Sequence, residues 1–130
     1  MDTKDMAQTI ILKASPHDVY EALMDSQKHS EFTGAEANIS REVGGEFTAW
    51  DGYIVGTNLV LEADRHIVQE WRATDWPEGV SSTVTFLLDP APEGTKLSFT
   101  QKGIPEEFYE DIVQGWTDYY WEPMKEMLEG

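Results

Sequence analysis

The side chains best suited to proton or metal chemistry near neutral pH are three histidines, His17, His29 and His66. None stands at a metal-binding spacing such as HExxH, and there is no cysteine to complete a zinc set, form a disulfide or act as a thiolate nucleophile. The reading for all three is a surface histidine, with no metal bound. Acidic residues are plentiful, but acid–base work needs two carboxyls meeting inside a pocket, and the pattern singles out no such pair. Gly44-Gly45 lacks the lysine and the strand-to-helix setting of a phosphate loop, and no serine sits in a nucleophile elbow. The expectation is therefore no catalytic residue, no cofactor and no enzyme.

What remains is the chemistry of apolar binding. Phe108, Ile112, Trp116, Tyr120 and Met124 recur every four residues through the last stretch, the spacing of one helix face. Pro105 fits a first helical position, with Glu106 and Glu107 in the first turn. Gly115 permits a close approach or leaves space mid-helix, and Pro123 predicts a kink, because its ring crowds the carbonyl of Tyr119. Ile112, Gly115, Trp116 and Tyr120 from this helix are candidates to line a cavity for a small apolar or amphipathic ligand. From the strands they are joined by Leu59, Trp71, Phe86, Phe99 and Gln101. The same stripe equally fits an ordinary close-packed core. Trp76, in the loop Trp76-Pro77-Glu78-Gly79, is a candidate for protein interaction or for a side chain tucked over a sheet edge.

Such a helix needs a broad apolar surface to lie on, and the preceding chain supplies strands. Met6 to Lys13 reads as a strand, with Ile10 and Leu12 on one side. Ser15-Pro16-His17-Asp18 is a variant capping box opening a short helix that Asp25 and Ser26 stop. Gln27 to Phe32 forms a second, closed by Thr33-Gly34. Ala35 to Val43 and Glu46 to Trp50 follow as strands. Asp51-Gly52 then predicts a tight hairpin into Tyr53 to Leu61, with Tyr53, Val55, Thr57, Leu59 and Leu61 on one face and a bulge or bend at Gly56. Ile67 to Ala73, Ser82 to Leu88 and Lys96 to Lys102 complete the set. In these, Ile67, Gln69 and Trp71, then Val84, Phe86 and Leu88, then Leu97, Phe99 and Gln101 each share a face. Strands followed by a long helix mean α+β with an antiparallel sheet of about six or seven strands.

At 130 residues and 40% hydrophobic content, the whole of 1–130 is expected to form one domain with a real core. The formal charge of −16 should repel nucleic acid and anionic membranes and make added salt stabilising; it reads first as a device for solubility and second as a surface for a basic partner. The polar start Met1-Asp2-Thr3-Lys4-Asp5 has no signal-peptide core after it, so a cytoplasmic location is expected.

Several stretches in one order resemble a known family. They are Gly44-Gly45-Glu46-Phe47, Trp50-Asp51-Gly52-Tyr53-Ile54-Val55-Gly56, His66-Ile67-Val68-Gln69-Glu70-Trp71-Arg72, Trp76-Pro77-Glu78-Gly79, Gly103-Ile104-Pro105, and Gln114-Gly115-Trp116 with Tyr119-Tyr120. The chain resembles the activator of heat-shock protein 90 ATPase homologue-like family of the START/Bet v 1-like superfamily, over nearly its full length. Within it the match is to the C-terminal domain of the eukaryotic co-chaperone, whose separate N-terminal domain contributes much of the chaperone contact. The resemblance implies the helix-grip fold, a curved sheet around a long C-terminal helix, often with an apolar cavity between them. It also implies a chaperone as a second possible partner.

Overall fold

A computed structural model describes residues 2–129. The chain folds as a seven-stranded antiparallel sheet in the order β1-β7-β6-β5-β4-β3-β2. The strands are β1 (Thr3–Leu12), β2 (Asn38–Ile39), β3 (Glu46–Ala49), β4 (Ile54–Glu62), β5 (His66–Ala73), β6 (Ser82–Ala91) and β7 (Gly94–Pro105). Strands β2 to β7 run as a meander, and β1 closes the far edge by pairing with β7.

Two short helices, α1 (Pro16–Met24) and α2 (Ser26–Thr33), bridge β1 and β2. Ser15 caps α1 by accepting the Asp18 amide, with Pro16 behind it, as the capping-box pattern requires. Asp25 serves both helices. Its amide donates to Glu21 O at 2.8 Å, and its side chain accepts from the Lys28 amide at 3.0 Å. Gly34, at φ 76°, ends α2 in the left-handed conformation that glycine adopts without strain.

The C-terminal helix differs in detail from the sequence reading. Pro105 closes β7 instead of opening an α-helix, and a 3-10 turn, Glu106–Phe108, precedes α3 (Tyr109–Trp116). A π-helical turn, Thr117–Trp121, then leads into α4 (Glu122–Glu129). The irregularity expected from Pro123 takes this form. The Glu122 amide bonds five residues back to Thr117 O, widening the turn just before the proline ring. The extra residue per turn lets both Tyr120 and Trp121 turn inward, Tyr120 against His29 and Phe32 of α2 and Trp121 against Phe86 and Phe99 of the sheet, and both are buried.

The buried faces of β5, β6 and β7 are the expected ones, with Ile67, Gln69 and Trp71, Val84, Phe86 and Leu88, and Leu97, Phe99 and Gln101 turned inward. Up to its bulge, strand β4 has the opposite parity from that expected: Ile54 and Asn58 point into the core and Leu59 lies outward at 45% exposure. Beyond the register shift between Asn58 and Val60 the parity switches, and Leu61 packs against the core as read. The Asp51-Gly52 turn is present with φ 56° and 89°, and Tyr53 N donates to Trp50 O at 3.0 Å, as a primed hairpin turn requires. Trp50 is itself left-handed at φ 54°, so the last ladder pair is Ala49–Ile54. Gly56 is not at the bulge. It lies opposite Phe47, and an added Cβ would collide with the Glu70 carbonyl and the Phe47 ring.

Candidate functional site

Trp116 is the centre of the core. Its ring lies 4.4 Å from Phe99, 4.3 Å from Tyr120, 5.5 Å from Trp121, 5.8 Å from Trp71 and 6.0 Å from Phe86, centroid to centroid. Its indole N–H donates to Gln101 Oε1 at 2.8 Å, Gln101 Nε2 donates to Ser82 Oγ at 2.9 Å, and Ser82 Oγ donates to Trp71 O at 2.9 Å. This chain of buried, satisfied bonds clamps α3 onto β7, β6 and β5. Trp121 makes a parallel contact, donating to Gln8 Oε1 at 2.6 Å on β1.

His29 is buried at 6% exposure, which corrects the surface reading. Its Nδ1 faces the Leu23 carbonyl at 3.2 Å, and a carbonyl only accepts, so Nδ1 carries the proton. Nε2 then accepts from the Tyr120 hydroxyl at 3.1 Å. Burial pushes the His29 pKa down to about 4, against a smaller upward pull from Leu23, so the ring is neutral at pH 7. Burial likewise raises the Tyr120 phenol, with the Trp50 indole acting in the opposite sense.

Between helix and sheet the packing leaves only about 20 Å³ beside Phe86, Trp116 and Tyr120. Phe99 and Gln101 do not line this space; they are wholly buried in the packed core and its clamp. A larger space opens outside that core. A cleft of about 520 Å³ lies between the helix, the β3–β4 hairpin and the loop after β5. Ile112, Gly115, Trp116 and Tyr120 line it from the helix, and Trp71 from β5. Leu59 does not, because of the reversed parity of β4.

Apart from Phe108, which heads the four-residue stripe, the rest of the cleft was not singled out by sequence reasoning. Trp50, Tyr53 and Ile54 come from the hairpin, Asp75 from the loop, and Phe108, Asp111 and Tyr119 from the helix side. The available signal was the Asp51-Gly52 turn, which holds the two aromatics that flank it at one sheet corner. Trp50 packs edge-on to Tyr119 at 5.6 Å and Tyr120 at 6.1 Å. The hairpin tip is tied to the chain before β2, since Glu36 N donates to Asp51 Oδ1 at 2.7 Å and Asp51 N to Glu36 O at 3.0 Å.

Above Gly115 an added Cβ would meet only a Tyr119 ring carbon at 3.8 Å, so the missing side chain contributes to the opening. Tyr53 Oη donates to Asp75 Oδ1 at 2.8 Å. Burial first, and then the bond to Asp75 and the charges of Asp75 and Asp111, push the Tyr53 phenol up to about 12. Asp75 and Asp111 are exposed at the mouth, not buried together inside it. The arrangement suits recognition by shape and charge more than proton transfer.

Trp76 is 3% exposed, packed 5.5 Å from Trp71 and 6.2 Å from Phe108, so it is the tucked side chain and not an open interaction residue. Its Nε1 and the Nε of Arg72 are buried without a hydrogen-bond partner among the described residues. Arg72 instead uses its terminal nitrogen, donating to Trp76 O at 2.8 Å. The exposed large apolar side chains away from the cleft include Val43, Leu59 and Val60. These three share one corner, since Gly44 N donates to Asn58 O at 2.8 Å and Asn58 Nδ2 to Glu42 O at 3.1 Å. Among the described residues no group of three His, Asp or Glu could hold a metal ion, and no helix is long and apolar enough to cross a membrane.

Comparison with known proteins gives one consistent picture. The family model described as "Activator of Hsp90 ATPase homolog 1-like protein" matches residues 13–129. The activator of 90 kDa heat shock protein ATPase homolog of Dictyostelium discoideum is 35% identical over 119 residues, covering 87% of this chain and 31% of that protein. Homolog 1 of Homo sapiens is 34% identical over 112 residues, covering 86% of this chain and 33% of that one. The chain thus spans about a third of the length of the curated relatives it matches. An HSP90 activator from Plasmodium falciparum shares the fold at a TM-score of 0.86, with 24% identity over 98% of this chain and 96% of that one.

Proposed function

The chain belongs to the Activator of Hsp90 ATPase homolog 1-like protein family, and from that premise we propose that it is a non-catalytic binding domain acting on a heat-shock protein 90 type chaperone ATPase. The observation that carries this reading is the family match over residues 13–129, together with relatives named for activating such an ATPase. The apolar corner of Val43, Leu59 and Val60 is the surface offered to the partner. Leu59 and Val60 are exposed at the β4 bulge and Val43 in the turn before β3, where solvent-facing positions normally carry polar side chains, and the chain's net charge of −16 favours a basic rim on the other side. Titration calorimetry with the chaperone tests it. Val43→Gln and Leu59→Gln together weaken binding without lowering the melting temperature; unchanged affinity would move the interface elsewhere.

A second reading has its own observation. The cleft of about 520 Å³, walled by aromatic rings, falls in the size range of small-molecule sites. It is the site for a small amphipathic ligand in this protein. The ligand lies between the helix and the β3–β4 hairpin, and not deep between helix and sheet, where the core is filled.

A further inference from the structure

The cleft has two chemical halves. Trp71, Ile112 and the open space over Gly115 make an apolar floor. At the mouth stand Tyr53, Asp75 and Asp111, with Trp50 and Tyr119 as further aromatic walls. None of the lining residues is Lys, Arg or His, and among the described residues neither Asp75 nor Asp111 takes part in an ion pair. A concave site with several aromatic faces, two carboxylates and no cation of its own attracts positive charge from both the rings and the carboxylates.

We propose that the cleft binds an amphipathic organic monocation, an aryl- or alkylammonium whose apolar body lies on the floor and whose charged head sits among Tyr53, Asp75 and Asp111. This rests on the reading of the cleft as a ligand site and adds the class of ligand. Asp75 already accepts the Tyr53 hydroxyl through Oδ1, so that ring is held at the mouth before any ligand arrives. An anionic or neutral ligand of the same shape gains the floor but meets either repulsion or no charge at the mouth.

The test is titration calorimetry of the full chain with three probes sharing one aromatic body: (2-naphthylmethyl)trimethylammonium, 2-naphthalenemethanol and 2-naphthalenesulfonate. It is run at about 150 mM salt, where attraction to distant surface charge is screened. The cation is expected to bind at least about tenfold more tightly than the alcohol, with the sulfonate weakest. Asp75→Asn with Asp111→Asn should erase most of that preference while the alcohol's affinity stays within about twofold. Both positions are exposed, so the variants fold. Equal affinity for cation and alcohol overturns the charge assignment and leaves the ligand site standing. A cation preference that survives the double variant also overturns it, because Asp75 and Asp111 would then not be what holds the charged head. No binding of any probe overturns both readings.

Discussion

Trp116 Nε1 donates to Gln101 Oε1 at 2.8 Å, and that bond joins the C-terminal helix to β7 inside the buried core. Trp116→Phe keeps an aromatic ring but strands a buried amide oxygen. It is expected to cost about 2–4 kcal/mol, part lost volume and part unsatisfied acceptor. Trp76→Phe offers the contrast, because Trp76 Nε1 is buried without a partner among the described residues. Removing that donor offsets much of the lost packing, so the cost should be about 1 kcal/mol or less. Urea unfolding of the two variants gives the comparison.

His29 makes stability depend on pH in a defined window. Its folded pKa of about 4 lies below the ordinary 6.5, so the unfolded chain binds the proton first. Stability from this group is complete above about pH 6.5 and is lost as pH falls toward 4, by about 3 kcal/mol in all. His29→Gln keeps hydrogen-bonding capacity without the titration. The difference in unfolding free energy between parent and variant, measured from pH 7 to 4, should shrink across that interval. The difference isolates His29, because the groups common to both proteins cancel in it.

Much of this was legible before the structure. The four-residue spacing from Phe108 to Met124 gave the helix stripe, and strict alternation in β5 to β7 gave the buried faces. The misreadings have local causes. One extra residue at the β4 bulge reverses parity, which is why Leu59 moved from cavity lining to surface. The π turn before Pro123 brought in Trp121, which a regular four-residue rhythm passes over. His29 sits in a polar-looking segment, and its burial depends on Tyr120, ninety-one positions away. The cleft is assembled from hairpin, loop and helix, so its mouth was beyond any single pattern.

Gly115 links stability and the cleft. Gly115→Ala should stabilise the protein by about 0.5–1 kcal/mol, since the position is helical and its Cβ meets only an ordinary contact. Gly115→Leu should fill the opening and abolish binding of naphthalene probes, with chaperone affinity unchanged. Loss of both affinities would instead mean that cleft and partner surface are coupled.

The most direct measurement is the ATPase rate of the heat-shock protein 90 type chaperone from the same cell, titrated with this chain. The account predicts a saturable rise, half-maximal at roughly micromolar concentrations as for a transient interface, that shifts to higher concentration with Val43→Gln and Leu59→Gln together. A rate that stays flat to roughly a hundred times that concentration, with no binding heat, would contradict it.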